Sequence, residues 1–349
     1  MYDKIQCQDI AIIIKQLREL RLQHKTYFIT GATGLIGSYL AKILLEYKRE
    51  YDNTIVVICA IRDINKAKEI FSKEDFDEII FWESDLMNID PSKQEEIPDV
   101  DVCIHAASVT KSLYMINRPV DTVKTSVLGT LNVLDMMISK HVKCFLYISS
   151  MEVYGTMDND KPVHEDQMGY INPLNIRSNY PEGKRICENI CIAYSHQYNI
   201  EVKIARLAQT FGPGIMKTDS RIFAQLAKCA INDENIVLHT NGESQGNYVY
   251  IRDMAYAIFL IIKKGKNQNA YNVVNEDSHI SIRNMAEMVC RDIAHNKIQV
   301  VYDIPDDNIY GYAQRTMLNL SGEKLKSLGW TPQVALAESY RRLISSLTG

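Results

Sequence analysis

A tyrosine and a lysine four positions apart, Tyr180 and Lys184, are the residues of this chain best suited to move a proton. Residues at this spacing lie on one face of a helix. We therefore expect the ammonium group of Lys184 to favour the phenolate of Tyr180 and to lower the tyrosine pKa from about 10. A tyrosine of this kind can take the proton of an alcohol while a hydride leaves the same carbon. Of the 20 tyrosines, Tyr180 alone has a lysine four positions after it.

Two further polar residues, Ser150 and Glu152, follow the apolar run 143–149. Polar side chains at the carboxyl end of a parallel strand face the ligand crevice of an open α/β sheet. The hydroxyl of Ser150 can bond a reacting oxygen there, and Glu152 adds a carboxylate at the same edge. The sequence therefore predicts that Tyr180, Lys184 and Ser150 are catalytic residues.

Three glycines at the spacing GxxGxxG, Gly31, Gly34 and Gly37, predict a site for a dinucleotide. They follow the apolar run 27–30 and open the helical pattern 35–47, and strand, glycine turn and helix is the order in which such motifs hold a pyrophosphate. The helix N-terminus supplies free N–H groups and the positive end of its dipole. The predicted contacts of this segment are Gly31, Thr33, Gly34, Leu35, Ile36 and Gly37.

The choice of cofactor depends on Arg62 and Asp63, which follow the second strand-like run. An acidic side chain at this position binds the adenosine ribose hydroxyls of NAD, whereas an arginine can pair with the additional phosphate of NADP. Because the two residues are adjacent, both are candidate contacts. We predict NAD, with NADP as the alternative.

Strand-like runs and helical patterns alternate from residue 26 onward, which predicts an α/β fold with a doubly wound parallel sheet. The predicted boundaries are an N-terminal helical extension over 1–24, a dinucleotide-binding domain over 25–210 and a smaller C-terminal α+β portion over 211–349 that mainly binds substrate. The strand-like runs are 27–30, 54–60, 78–82, 101–106, 143–149 and 201–205, with shorter ones at 236–239, 247–251 and 271–274.

The composition of the 349-residue chain excludes several classes of protein. A net charge of −4 without any basic run argues against nucleic-acid binding. No uninterrupted apolar segment approaches the roughly 18 residues of a membrane span, and the N-terminus lacks the pattern of a signal peptide. The eight cysteines form no CxxC pair. We therefore expect a cytoplasmic protein with reduced cysteines and without a metal site.

The three motifs together identify the chain as a member of the extended short-chain dehydrogenase/reductase superfamily. Within it, the chain resembles the NAD-dependent epimerase/dehydratase family, which modifies nucleotide sugars on a Rossmann sheet. Asp85 and Leu86 are similar to the family's adenine-contacting pair, and Ala106 and Ala107 lie in a run similar to its strand beside the cofactor. Further similar segments are 206–213, which resembles RxxNxxGP, and 328–330.

The resemblance implies a role for each catalytic candidate. Tyr180 is the acid and base, Lys184 lowers its pKa and holds the nicotinamide ribose, and Ser150 assists. The reaction begins with removal of a hydride from sugar C4, which gives a 4-keto intermediate and reduced cofactor. Reduction from the other face then gives an epimer, elimination gives a 4-keto-6-deoxy sugar, and a C6 carboxylate is lost as carbon dioxide.

The residues around Glu152 favour one branch of the family. In the 4,6-dehydratases the hydroxyl residue is followed by Asp-Glu, but Met151 replaces the aspartate here, and a thioether cannot supply a proton. UDP-glucuronate decarboxylases retain the glutamate, so the resemblance adds Glu152 to the predicted catalytic residues. The segment around their catalytic tyrosine is similar to 177–185. The chain therefore resembles decarboxylase-like members most closely, with epimerisation left open.

Three positions depart from the family pattern. Gln209 and Ser126 stand where the family usually has asparagine, and Gly246 occupies the place of an arginine that usually grips the nucleotide diphosphate. Loss of such a charge-assisted contact weakens binding by about 1.5–3 kcal/mol. Either another cationic side chain binds the diphosphate, or the nucleotide end of the substrate lies in a different place. The predicted substrate contacts are Gln209, Arg177, Arg221, Arg252 and Arg315.

Three other functions stay open beside this interpretation. One is an NADPH-dependent reductase of a keto-sugar or related carbonyl, which Arg62 favours. The second is a 4,6-dehydratase, and the third is a non-catalytic dinucleotide-sensing protein, against which the intact Ser150, Tyr180 and Lys184 argue. The apolar helical patterns 120–139 and 181–197 correspond to helices that pair in relatives, which predicts a homodimer.

Overall fold

The computed structural model describes residues 3–157, 159, 161–305 and 316–349. The strands are β1 (Thr26–Thr30), β2 (Val56–Ile61), β3 (Ile79–Glu83), β4 (Val102–His105), β5 (Cys144–Ser150), β6 (Glu201–Leu207), β7 (Gln209–Phe211), β8 (Ile236–Leu238), β9 (Gln245–Tyr250), β10 (Asn269–Val273), β11 (Asn275–Ser281) and β12 (Val300–Tyr302).

The helices alternate with these strands through the first half of the chain. They are α1 (Lys4–Leu20), α2 (Leu35–Glu50), α3 (Ile64–Ile70), α4 (Lys73–Glu78), α5 (Pro91–Gln94), α6 (Ser112–Asn117), α7 (Pro119–Ser139), α8 (Asn179–Tyr198), α9 (Ile222–Asn232), α10 (Ile251–Lys264), α11 (Ile282–Met288), α12 (Glu323–Lys326) and α13 (Leu336–Thr348). Short 3₁₀ turns span Met151–Tyr154 and Ile176–Ser178, and a π-helical turn, Val289–Ile293, follows α11.

The central sheet has the strand order β10-β6-β5-β4-β1-β2-β3, and every neighbouring pair in it is parallel. From β1 the chain adds β2 and β3 on one side, and it then adds β4, β5 and β6 on the other side. In such a fold the ligand crevice opens at the carboxyl ends of the two strands where the order reverses, here β1 and β4. This sheet confirms the predicted doubly wound α/β fold. The run at 271–274, predicted in the smaller portion, instead forms β10 at the edge of the central sheet. The predicted boundary at residue 210 therefore separates strands that belong to one sheet.

Alternate residues of each strand pack against opposite helical layers. In β1, Tyr27 and Ile29 face a layer that contains α1, α2 and α10, while Phe28 faces α7 and α8. Both faces are covered, which explains why the strands read as continuous apolar runs. A separate cluster around Phe211 and Tyr340 forms the core of the C-terminal portion.

The N-terminal helix α1 packs against α2, α10 and α13. Asp3 caps it, because its Oδ1 accepts hydrogen bonds from the backbone N–H groups of Ile5 and Gln6 at 2.9 and 3.0 Å. Ile13 and Leu17 are fully buried in the core, as the helical spacing of apolar residues predicts. The extension is therefore an integral part of the fold.

The described residues contain no helix long and apolar enough to cross a membrane. They also contain no group of three or more His, Cys, Asp or Glu placed to hold a metal ion. The eight cysteines all lie in the described residues and none forms a disulfide bond. Six of them are buried, whereas Cys7 is exposed and Cys229 is half-buried.

Candidate active site

The glycine motif forms the turn between β1 and α2. Gly31 has φ +66°, a value that L side chains rarely adopt, and an added Cβ would lie 2.8 Å from the backbone of Ala106. A Cβ on Gly37 would lie 2.5 Å from the carbonyl oxygen of Gly31. Gly34 precedes the first turn of α2, whose N–H groups have no partner inside the helix. This geometry is that of an anion site at a helix N-terminus.

A buried hydrogen-bond network fixes the adjoining end of β4. The backbone N–H of Ala107 donates to Thr30 Oγ1 at 3.1 Å, and Thr30 Oγ1 lies 2.8 Å from His105 Nδ1. His105 Nε2 lies 3.2 Å from Thr130 Oγ1, which itself donates to the carbonyl oxygen of Ser126 at 2.6 Å. Burial lowers the pKa of His105 to about 3, so the ring is neutral. This histidine therefore holds the glycine turn and Ala107 together and does not titrate near neutral pH.

The residues predicted to contact adenosine lie at the ends of β2 and β3. Arg62 and Asp63 are both exposed. Asp63 caps α3, since its Oδ1 accepts from the N–H groups of Asn65 and Lys66 at 2.8 and 3.4 Å. Asp85 is also exposed, and Leu86 is half-buried. These contacts, and the choice between NAD and NADP at Arg62 and Asp63, stay predictions.

Tyr180 lies in the first turn of α8, and Lys184 follows it one turn later; both are buried. Lys184 Nζ donates to the carbonyl oxygen of Ile148 at 2.8 Å and lies 5.9 Å from the centre of the Tyr180 ring. Burial lowers the pKa of Lys184 to about 8. Burial, together with the charge of Glu152, raises the pKa of Tyr180 to about 12.

The predicted direction of the Tyr180 shift is therefore wrong for the protein alone. The prediction counted the attraction between a phenolate and the ammonium group of Lys184. It omitted the cost of removing a phenolate from water, which here outweighs the favourable contacts.

Two serine side chains act against the effect of burial on the pKa of Tyr180. Ser150, at the end of β5, and Ser108, just beyond β4, both lower the pKa of Tyr180 by side-chain hydrogen bonds. Ser150 was predicted, whereas Ser108 was missed. Its position directly after Ala106 and Ala107, at the carboxyl end of a central strand, is the signal that could have identified it.

Glu152 forms an ion pair with Arg177 beside this tyrosine. Arg177 Nη2 lies 3.1 and 3.0 Å from the two carboxylate oxygens of Glu152. The guanidinium carbon of Arg177 lies 5.7 Å from the centre of the Tyr180 ring. The structure thus brings together all four predicted catalytic residues and one predicted substrate contact.

A buried ion pair holds helix α8 against the sheet. Arg206, on β6, donates to Glu188, on α8, through Nε and Nη2 at 3.0 and 2.8 Å. Ser149 Oγ, on β5, donates to the same carboxylate at 2.5 Å. Because Ser149 immediately precedes Ser150, this network also fixes the distance between the predicted catalytic strand and helix.

The other predicted substrate contacts are dispersed. Arg221 pairs with Asp219, Nη2 to Oδ2 at 2.6 Å, and Arg252 pairs with the buried Asp9, Nη1 to Oδ1 at 3.4 Å. Their charges are therefore already compensated within the protein. Gln209 begins β7 and is half-buried. Arg315 lies outside the described residues.

Gly246, which departs from the family pattern, lies near Met151, which departs from the pattern of the 4,6-dehydratases. Gly246 lies on β9, and a Cβ added there would meet Met151 Cε at 3.8 Å. No sequence pattern links these residues, which are 95 positions apart in the chain. The loss of an arginine at Gly246 and the gain of a thioether at Met151 thus alter the same part of the site.

Comparisons with known proteins agree with this geometry. Residues 27–274 match the NAD dependent epimerase/dehydratase family. The chain is 30% identical over 319 residues to UDP-glucuronic acid decarboxylase 3 of Arabidopsis thaliana, covering 89% of this chain and 85% of that protein. It is 29% identical over 325 residues to UDP-glucuronic acid decarboxylase 1 of Xenopus tropicalis, covering 92% of this chain and 71% of that protein.

Solved structures of similar fold include two epimerases. UDP-glucose 4-epimerase of Thermotoga maritima, with UDP-glucose, superposes with a TM-score of 0.77 at 22% identity, over 93% of this chain and 98% of that one. UDP-glucuronic acid 4-epimerase of Bacillus cereus, in complex with UDP-glucuronic acid and NAD, gives a TM-score of 0.76 at 21% identity, over 93% and 99%. Because both identities are low, these two structures show a similarity of fold alone.

Proposed function

Because the chain belongs to the NAD-dependent epimerase/dehydratase family, we propose that it oxidises C4 of a nucleotide sugar and returns the hydride once the 4-keto intermediate has reacted. The observation that carries this proposal is the buried Tyr180, whose ring centre lies 5.9 Å from Lys184 Nζ and 5.7 Å from the guanidinium carbon of Arg177, with Ser150 and Ser108 near enough to lower its pKa. Ser108 follows the strand end whose Ala106 lies against Gly31. The proton-transfer group and the glycine turn for the cofactor therefore adjoin the same strand end.

The chain's own residues divide the work of the first step. Tyr180 takes the proton of the C4 hydroxyl, and the hydroxyls of Ser150 and Ser108 hold the phenol oxygen and the reacting oxygen in line. Lys184, fixed by the carbonyl oxygen of Ile148, supplies a positive charge on the same helix face. When bound, the nicotinamide accepts the hydride.

Decarboxylation is the second step that the observations favour. A ketone at C4 stabilises the carbanion that forms when a C6 carboxylate leaves as carbon dioxide. The curated relatives at 29–30% identity are UDP-glucuronic acid decarboxylases. Met151 stands next to Glu152 and cannot supply the proton that elimination of water requires. Glu152, held by Arg177, is therefore proposed to orient the sugar rather than to act in dehydration.

The second candidate is a reductase that consumes NADPH. Arg62 is exposed, and it makes no ion pair within the described residues, whereas Asp63 is engaged as the cap of α3. Arg62 is therefore available for the phosphate of NADP. Steady loss of reduced cofactor with a keto-sugar would support this candidate over a redox-neutral reaction.

The experiment that separates these functions is mass spectrometry of products formed from UDP-glucuronate by purified protein with catalytic NAD. We expect loss of carbon dioxide to give the pentose nucleotide. A product of unchanged mass but altered chromatographic retention would instead mean epimerisation. No change in UDP-glucuronate or in a panel of other nucleotide sugars would contradict the proposal and favour NADPH-dependent reduction.

We also propose that the protein is a homodimer joined through α7 and α8. These helices pack against each other on one face of the sheet and leave apolar side chains exposed on their outer surface. They include Val120, Val123, Leu128 and Ile186, exposed by 62, 40, 41 and 44%. We expect light scattering at micromolar concentration to give twice the 39.9 kDa of one chain. A monomer would contradict the assembly but not the chemistry.

A further inference from the structure

The first two turns of α1 join the helix of the glycine turn, α2, to the C-terminal portion. Gln6 is buried, and its Oε1 accepts a hydrogen bond from Lys42 Nζ of α2 at 3.3 Å. Asp9, one turn later, accepts from Arg342 Nη2 of α13 at 2.8 Å. Both α1 residues precede the segment 27–274 that matches the family. These contacts are therefore a feature of this chain that the family match does not describe.

The amide of Gln6 also lies against the loop that follows β7. Because an ammonium group only donates hydrogen bonds, the amide oxygen faces Lys42 and the amide nitrogen points away from it. On that side, a Cβ added to Gly214 would lie 3.0 Å from Gln6 Nε2 and 3.6 Å from Leu35 Cδ1. Leu35 is the first residue of α2, directly after the glycine turn. Gln6 and Leu35 thus meet the backbone of the loop at one point.

This loop, 212–221, leads to a predicted substrate contact, because Arg221 is the N-cap residue of α9. The loop is held from two sides. Ile215 is buried in the core of the C-terminal portion. The preceding residue, Gly214, has φ +95° and lies against the amide of Gln6. The position of Arg221 relative to the glycine turn therefore depends on the contact that α1 makes at Gly214.

We propose that Gln6 is a positioning residue for substrate binding: it holds the loop 212–221 against the glycine turn, in the arrangement that binds the nucleotide end of the sugar nucleotide. This inference rests on the proposed function and deepens it. Gln6 acts through Gly214 and not on the reacting atoms, so it contributes equally to binding of the ground state and of the transition state. Loss of such a contribution raises KM and leaves kcat unchanged.

The competing explanation is that Gln6 serves Lys42 alone. Burial lowers the pKa of Lys42, and the amide of Gln6 would then only compensate a buried ammonium group. In that case removal of the amide would lower the free energy of unfolding, but KM would stay the same in protein that is still folded. The value of KM therefore separates the two explanations.

The test combines calorimetric titration of NAD-loaded protein with UDP and steady-state kinetics with UDP-glucuronate. We expect Gln6→Ala to raise the Kd for UDP and the KM by about fivefold, within the range found for residues that act through packed neighbours. The kcat should stay within about twofold of the parent value. Gln6→Glu keeps the length of the side chain and an acceptor for Lys42, so it should restore most of the affinity.

Gln8→Ala is the matched control, because Gln8 is an exposed glutamine of the same helix. It should leave Kd, KM and kcat unchanged, as is usual for surface substitutions. Thermal unfolding shows whether each variant is folded at the assay temperature. If Gln6→Ala is not, Gln6→Asn takes its place, since its amide is one methylene too short to reach both Lys42 and Gly214.

Each outcome separates the inference from the proposed function. Unchanged Kd and KM in the folded Gln6 variant, or a fall in kcat alone, would overturn the inference, while turnover by the parent protein would leave the proposed function intact. A raised Kd for UDP in a protein whose parent turns over no nucleotide sugar would support the inference and contradict the proposed function. Failure of the parent protein to bind UDP would overturn both.

Discussion

Tyr180→Phe is expected to reduce kcat by about 10²–10⁴-fold, the usual contribution of a positioned acid–base group. The substitution removes one oxygen, and with it the proposed acceptor of the C4 proton. It keeps the buried ring that Arg177 contacts, so sugar nucleotide binding should change little. The measurement is kcat and KM from product formation, with the NAD content of each preparation determined in parallel.

Tyr198→Phe is the matched control, because it makes the same change at an exposed position of the same helix. It should leave kcat within twofold of the parent, as surface substitutions away from a site usually have small effects. Turnover of Tyr180→Phe at the parent rate would show that another group moves the proton. Loss of NAD from Tyr180→Phe alone would show that the tyrosine serves cofactor binding instead.

Asp9→Ala is expected to lower the free energy of unfolding by about 3–5 kcal/mol, the usual cost of removing one partner from a buried ion pair. Asp9 is fully buried on α1. It accepts hydrogen bonds from Tyr250 Oη at 2.6 Å, Arg342 Nη2 at 2.8 Å and Arg252 Nη1 at 3.4 Å. Burial raises the pKa of Asp9, and these three donors act in the opposite direction. Without the carboxylate, Tyr250 Oη loses its acceptor and, among the described residues, Arg252 keeps only the ion pair with Asp253 at 3.5 Å and Arg342 keeps only a distant one with Glu338 at 3.9 Å.

Urea unfolding followed by circular dichroism measures this loss, provided that the transition stays two-state. Glu19→Ala is the control, because Glu19 is an exposed acidic residue of the same helix. It should change the free energy of unfolding by no more than about 0.5 kcal/mol. Equal losses in both variants would mean that general helix or charge effects dominate. A negligible loss in Asp9→Ala would contradict the view that α1 is fastened to α10 and α13 through this carboxylate.

The sequence was sufficient for the parts of the fold that depend on local pattern. Strand, glycine turn and helix occur in the predicted order around Gly31, and six predicted runs became parallel strands of the central sheet. Apolar periodicity and the left-handed backbone of Gly31 are encoded within a few residues, so they can be read without the fold. The match over residues 27–274 also confirms the predicted family and its NAD-type cofactor.

The remaining features depend on residues that only folding brings together. Pairing of β10 with β6 could not be predicted, because an edge strand is assigned by tertiary packing rather than by its own pattern. The contact between Met151 and Gly246 spans two distant segments. The direction of the Tyr180 pKa shift was wrong for the same reason, since burial is a property of the surrounding elements and not of the Tyr-Lys spacing.

Rapid mixing of NAD-loaded protein with UDP-glucuronate, followed by the near-ultraviolet absorbance of reduced nicotinamide, observes the proposed hydride transfer from C4. We predict that this absorbance rises and then decays in the parent protein, and that the rise is slower when C4 carries deuterium. Tyr180→Phe should show no rise in absorbance. Product formation without any reduced cofactor would contradict oxidation at C4. A rise of equal rate in Tyr180→Phe would contradict the role of Tyr180 as the base.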